Sequence, residues 1–147
     1  MTSNTNSPAK VPLKYEQIAG LCTRSRCPIA NTLDVIGDKW TLLIIRDMLM
    51  LGSGQYQDFL KAPEGISTNI LADRLKKLEK AGVISKSVYQ TNPVRHLYSL
   101  TSMGQDLRPV LMAIVQWGGA HVEGAFSPSQ ADIDAMESRR LKPSKTA

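Results

Sequence analysis

The sequence predicts a mainly α chain with one small β-hairpin, an α+β fold, and three observations carry that expectation. Residues 67–81 place Leu71, Leu75 and Leu78 at i, i+4 and i+7, the spacing of one helical face, with Ser67 as an N-cap ahead of them and Gly82 behind. Directly afterwards, Val83–Gln90 and Val94–Leu100 are rich in β-branched and aromatic residues and are separated only by Thr91-Asn92-Pro93, the mark of a hairpin. On either side of this unit, apolar residues recur with helical rather than alternating period.

Taken in order, Pro28 suits the first position of a helix in which Ile29, Leu33 and Ile36 share a face before Gly37 ends it. Asp38 caps a second helix, Lys39–Leu51, with Trp40, Leu43, Ile44 and Leu51 supplying a broad apolar surface and Gly52 just beyond. After an interhelix loop, Gly52-Ser53-Gly54, a short helix spans Gln55–Lys61 on the strength of Tyr56, Phe59 and Leu60. The link Ala62-Pro63-Glu64-Gly65-Ile66 then turns the chain into the capped helix, and two helices so joined form a helix-turn-helix. Because residue 70 is Ile, the reciprocal capping box is absent there.

The closing helix starts at Thr101 or Ser102, where Ser102 and Gln105 have capping-box spacing, and Leu107, Val110, Leu111, Ile114 and Trp117 form its apolar stripe. Trp40 and Trp117 are both expected in the core. Pro109 is expected inside this helix, removing a hydrogen bond to Gln105 and kinking it. Met1–Pro12 has too little apolar surface to offset the entropy of ordering, and a short tail helix is expected over Ala131–Leu141. The organisation that follows is an N-terminal arm over 1–26, one domain over 27–125 and a C-terminal tail over 126–147.

Hydrophobic and charged contents of 42% and 21% are those of an ordinary globular chain. The longest apolar run, Leu42–Ile45, stops at Arg46, far short of the about 18 residues a membrane span needs, and Met1–Pro12 has no signal-like apolar segment, so a cytoplasmic protein is expected. The formal net charge is +5, and its distribution says more than its size. Residues 53–96 hold seven basic side chains against four acidic ones and 1–27 hold four against one, whereas 28–52 and 97–126 are each net −1. On charge alone, a solvated basic surface explains this as well as a polyanionic partner does.

No Walker loop, dinucleotide glycine fingerprint, His-Glu-x-x-His or Gly-x-Ser-x-Gly is present, so neither an enzyme nor a cofactor is expected. Cys22, Cys27, His96 and His121 lack zinc-finger spacing, and a cytoplasmic cysteine pair is expected to be reduced.

The order helix-turn-helix, hairpin matches a helix that enters the major groove of DNA and a wing that reaches the flanking backbone or minor groove. Ser67, Thr68 and Asn69 are short donors and acceptors suited to base edges, while Arg74, Lys77, Lys39 and Arg95, just past the hairpin tip, are candidates for phosphate. Each has a plainer explanation. Ser67 is a cap, Arg74 and Lys77 can pair with Asp73 or Glu79, Lys39 can lie over Trp40, and His96 reads as a strand residue rather than a switch.

The chain resembles the HxlR-type winged helix-turn-helix regulators. The resemblance runs over about residues 27–125: Cys27-Pro28, Ile36 to Ile45, Gly65-Ile66-Ser67, Leu75 to Ile84, Pro93 and Arg95, Tyr98 to Thr101 with Gly104, and Leu107 through Trp117. It implies a winged helix-turn-helix with additional N- and C-terminal dimerisation helices, a homodimer bound to a two-fold related operator in double-stranded DNA, and no membrane. Where the family usually has a basic residue and Phe before the turn, this chain has Gln55-Tyr56, so the backbone contact at Gln55 is neutral. Val94 and Leu97 replace a frequent Pro and a frequent acid in the wing.

In some members the cysteine matching Cys27 senses oxidants or electrophiles. Here a helix start and the nearby Arg24 and Arg26 favour its thiolate, with Cys22 as a resolving partner. The competing explanation is an inert, half-buried thiol. A small-molecule effector between dimer helices, lined by Trp40 and Trp117, and a winged-helix module that meets an acidic protein instead of DNA are the remaining readings.

Overall fold

The computed structural model describes residues 26–138. Helix α1, Pro28–Ile36, begins at the proline, whose missing N–H falls where a helix start leaves donors unpaired. Asp38 then caps α2, Lys39–Arg46, its Oδ1 accepting the amides of Trp40 and Thr41 at 3.0 Å each. Instead of continuing as an α-helix to Leu51, the chain widens into a π turn over Asp47–Leu51. The wider turn carries Leu51 off the apolar face, and it is 71% exposed rather than part of the expected surface.

Helix α3, Tyr56–Leu60, is capped by Gln55, whose amide donates to Asp58 at 3.1 Å. Helix α4, Thr68–Lys80, starts at Ser67, whose Oγ accepts the Ile70 amide at 3.3 Å. It ends in a Schellman turn: the Val83 amide reaches the Leu78 carbonyl and the Gly82 amide the Glu79 carbonyl, both at 3.0 Å, with Gly82 at φ +76°. That turn delivers the chain into β1, Ile84–Thr91, antiparallel to β2, Val94–Leu100. Thr91 pairs with Val94, so only Asn92 and Pro93 form the tip, and a register irregularity between Val88 and Gln90 sets Tyr89 outside the ladder. Gln55 bridges Leu97, and the Tyr98 amide donates to the Gly54 carbonyl at 2.7 Å, which docks the start of α3 on the outer edge of β2.

The core is where these elements converge. Ile44 and Ile45 of α2, Phe59 of α3, Leu71, Leu75 and Leu78 of α4, and Val83 and Ile84 at the base of the hairpin are all buried. Full burial of each such side chain contributes about 1.5–3 kcal/mol, which makes the α2/α4 packing the main scaffold of the reading head.

The C-terminal part differs from expectation in three ways. First, the closing helix is two helices, α5 over Ser102–Gln105 and α6 over Arg108–His121. Pro109 therefore sits in the first turn of α6, where no amide is missed, and does not kink a longer helix. Second, the N-cap of α5 is Thr101: its hydroxyl accepts the Gly104 amide at 3.2 Å and donates to the Gly82 carbonyl at 2.6 Å, so the Ser102/Gln105 box does not form. Third, the expected stripe splits. Leu111 is buried, but Val110, Ile114 and Trp117 are 39%, 48% and 63% exposed, and Trp117 is not a core residue. Trp40 is half-buried at the edge of the core.

Helix α7, Gln130–Ser138, occupies most of the expected tail helix, whose last residues through Leu141 lie outside the described residues, as does the arm before Arg26. Buried Arg108 ties it down, donating to the Met136 carbonyl at 3.0 Å and to the Leu49 carbonyl at 3.1 Å.

Gly104 lets α5 approach the start of the hairpin. A Cβ there would lie 2.3 Å from the Val83 carbonyl oxygen and 2.8 Å from a Leu100 methyl. Gly104→Ala is expected to destabilise the chain by about 3 kcal/mol, measured by urea unfolding. A loss under about 0.5 kcal/mol, the scale of a neutral surface change, would contradict this packing.

Candidate nucleic-acid interface

Burial of Leu71, Leu75 and Leu78 leaves Asn69, Asp73, Lys76 and Lys80, at i, i+4, i+7 and i+11, on the exposed side of α4. Ser67, Thr68 and Asn69 are all exposed at its N-terminal end. Short polar groups at an open helix start, backed by unpaired amides, suit contact with base edges or phosphate oxygens.

Tyr56 joins this helix start to the hairpin. Its hydroxyl donates to the Thr68 carbonyl at 2.9 Å, while its ring lines a groove of about 450 Å³ shared by Gln55, Tyr89, Arg95, His96 and Tyr98. Tyr56 thus bonds Thr68 at the start of α4 and lines the same groove as Arg95, which lies 27 positions beyond Thr68 in the chain. Gln55 is exposed at the groove's rim, with the Tyr89 hydroxyl 3.4 Å from its Oε1. No acidic side chain lines the groove, and Arg95 has no ion pair among the described residues. Burial raises the Tyr98 hydroxyl above its ordinary pKa, so the ring stays neutral across the physiological range.

The remaining candidate cations are differently placed. Arg74 donates from Nε to Asp38 at 2.9 Å and from a terminal nitrogen to Asp73, and Lys77 pairs with Asp73 at 3.1 Å. The Asp38 link spans 36 positions and has no signature in local spacing. Lys39 holds its amine 4.7 Å over the Trp40 ring, and nothing ties it to the Tyr56 group. Two residues outside the initial set belong with the site: Tyr56, through its bond to Thr68, and Lys76, exposed about two helical turns beyond Asn69 and without an ion pair among the described residues. The seven-residue interval from Asn69 was the available signal for Lys76; nothing local signals the reach of Tyr56.

Cys27 is exposed at the N-cap of α1, with no side-chain capping bond. Cys22 and Arg24 lie outside the described residues. Trp40 and Trp117 do not share a cavity: Trp40 borders a small niche of about 10 Å³ beside Asp47 and Phe59, while Trp117 lies with Pro109, Val110, Ala113 and Ile114 along an open apolar depression of about 580 Å³. Among the described residues no three His, Cys, Asp or Glu side chains are grouped to hold a metal, and no helix is long and apolar enough to cross a membrane.

The turn between α3 and α4 is held to α2 by Arg46. Its guanidinium grips both oxygens of Glu64, at 2.6 and 3.1 Å, and reaches buried Asp47 at 2.8 Å through Nε. Burial pushes the Asp47 carboxyl up, whereas the Arg46 bonds pull Glu64 down from 4.5 to about 2. A depressed folded pKa adds stability above pH 4.5, and that contribution disappears as pH falls through about 2. Glu64→Gln should therefore lower stability by about 1 kcal/mol at pH 7, and the difference from the native chain should shrink steadily between pH 4.5 and 2 in urea melts. A pH-independent difference would show that the pair does not bind this turn.

Comparison with known proteins matches this architecture. The family model for HxlR-like helix-turn-helix proteins matches residues 35–125. The chain is 36% identical over 119 residues, 81% of its length and 86% of the relative's, to the HTH-type transcriptional regulator YdeP of Bacillus subtilis. Its fold matches that of the redox regulator HypR in its oxidised form with a TM-score of 0.59 and 31% identity, over 66% of this chain and 99% of that one. It also matches the reduced transcriptional regulator YodB of B. subtilis with a TM-score of 0.54 and 27% identity, over 67% and 97% of the two chains. A winged helix-turn-helix with this sequence belongs to the HxlR-like helix-turn-helix family of transcriptional regulators.

Proposed function

We propose that this chain is a sequence-specific DNA-binding regulator that acts as a homodimer on a two-fold related operator in the cytoplasm. The observation that carries the reading is Tyr56, which bonds Thr68 at the open start of α4 and lines one groove with Arg95 of the wing. In this reading Thr68 and Asn69 reach base edges, Arg95 and Lys76 meet phosphates, and Gln55 supplies a neutral backbone contact. The exposed apolar residues Ile29 and Leu33 of α1 and Ile114 and Trp117 of α6 supply surface for a second copy.

A redox input is favoured by one observation on this chain, the exposed Cys27 thiol at a helix start, and by its likeness to the redox regulator HypR. Oxidation of that thiol, with Cys22 or its counterpart in the second copy as resolving partner, would act on α1 and through it on the spacing of the two reading heads.

Selection from a random duplex library should enrich one two-fold related sequence. On it, Asn69→Ala is expected to cost about 1–3 kcal/mol, and Arg95→Ala to lower the slope of log affinity against log salt by about one. No enriched duplex would overturn the DNA reading, and an unchanged slope would remove Arg95 from it. Mild oxidation is expected to change operator affinity in the native chain and not in Cys27→Ser; equal responses would eliminate Cys27 as a switch.

A further inference from the structure

We infer that Arg74 is a positioning residue for DNA recognition, locked to Asp38 so that α4 keeps one orientation on α2, and that it is not a phosphate contact. The inference rests on the DNA-binding reading and reassigns one of its candidate cations. Arg74 projects from the flank of α4, beside the leucine face, and its side chain is only 24% exposed. Nε meets Asp38 Oδ1 at 2.9 Å, the same oxygen that accepts the amides of Trp40 and Thr41 at 3.0 Å each. Asp38 Oδ2 takes the Thr41 hydroxyl. One carboxylate thus caps α2 and holds α4 at the same time.

Burial pushes the Asp38 carboxyl upward, but the Thr41 hydroxyl and amide and the Arg74 guanidinium together hold it below its usual range, so it is ionised wherever the protein is folded near neutrality. The other edge of Arg74 faces Asp73, which also receives Lys77. Two acids and two bases cancel over this part of the helix. Nε and one terminal nitrogen of Arg74 are committed to Asp38 and Asp73, so a phosphate approaching this guanidinium would meet two carboxylates beside it, a repulsion that Lys76 on the open side, without an ion pair among the described residues, does not meet.

The geometry also says what the bond is for. The buried residues of α4 are leucines and those of α2 include Ile44 and Ile45, and such apolar packing resists separation of the helices but allows rotation or sliding at smaller cost. A directional bond near the middle of α4 fixes that remaining freedom, and with it the aim of Thr68 and Asn69.

The test compares the native full-length chain, Arg74→Gln, Asp38→Asn and the double variant on the duplex enriched by the native chain and on a scrambled duplex of equal length and composition. Asparagine is as good an N-cap as aspartate, so α2 keeps its start in Asp38→Asn. Each single variant is expected to lose about tenfold in the ratio of specific to scrambled affinity, with the salt slope unchanged, and the double variant to be no worse than either. A purely structural role would leave that ratio intact in the folded fraction. The inference is overturned if Arg74→Gln weakens both duplexes alike and lowers the slope by about one, or if the two losses simply multiply. If the native chain discriminates between no duplexes, the DNA reading fails separately. Urea unfolding of the same four proteins then decides the lock: equal unfolding constants for the double variant and each single variant support it, and multiplicative losses refute it.

Discussion

Three leucines on one face of α4 set what the rest of the molecule can do. Because helical side chains recur with a period near 3.6 residues, sinking Leu71, Leu75 and Leu78 into the α2 surface decides which side chains of α4 water, or a partner, can reach. The same burial sets the wing. The Schellman turn at Gly82 places Val83 and Ile84 in the continuation of that core, so the hairpin leaves α4 in one direction, and Thr101 and Gly104 close around the same point from the other side. Helix and wing are thus two exits from one packed junction rather than two independent elements.

Charge is organised around that junction by pairing. Arg46 joins α2 to the turn through Glu64, and Arg74 joins α4 to the cap of α2 through Asp38. Buried Arg108 does the equivalent work with backbone carbonyls, linking α6 to the π turn and to α7. The cations spent on these internal bonds do not add to the outward field. What remains on the open side, Lys76 and Arg95 above all, is a smaller positive surface than the count of basic residues over 53–96 implies.

Local pattern made the helix-turn-helix and the hairpin legible: N-cap, heptad-like leucines, turn glycine and paired β-rich runs each act within a few residues. The features that local pattern leaves open depend on distance. Pro109 is compatible with a kink or with a helix start, and the break between α5 and α6, just before Arg108, makes it a helix start. Trp117, Ile114 and Val110 have the periodicity of a core stripe, but periodicity marks a face to be covered without saying whether the chain itself covers it. Arg74 has the residue type of a phosphate ligand, and only the fold brings Asp38 to it. Tyr56 shows in the sequence as part of an apolar pattern and as the counterpart of a frequent Phe, and neither signals that its hydroxyl meets Thr68.

In the proposed complex one continuous face, from the start of α4 across Tyr56 to the wing, meets DNA. Backbone amide shifts recorded while the selected duplex is titrated into the isotope-labelled chain address it directly. The largest changes are expected at Gln55, Tyr56, Thr68, Asn69, Lys76 and Arg95, with α6 and α7 little affected. Changes concentrated in α6 or α7, with Thr68, Asn69 and Arg95 unmoved at saturation, would contradict it.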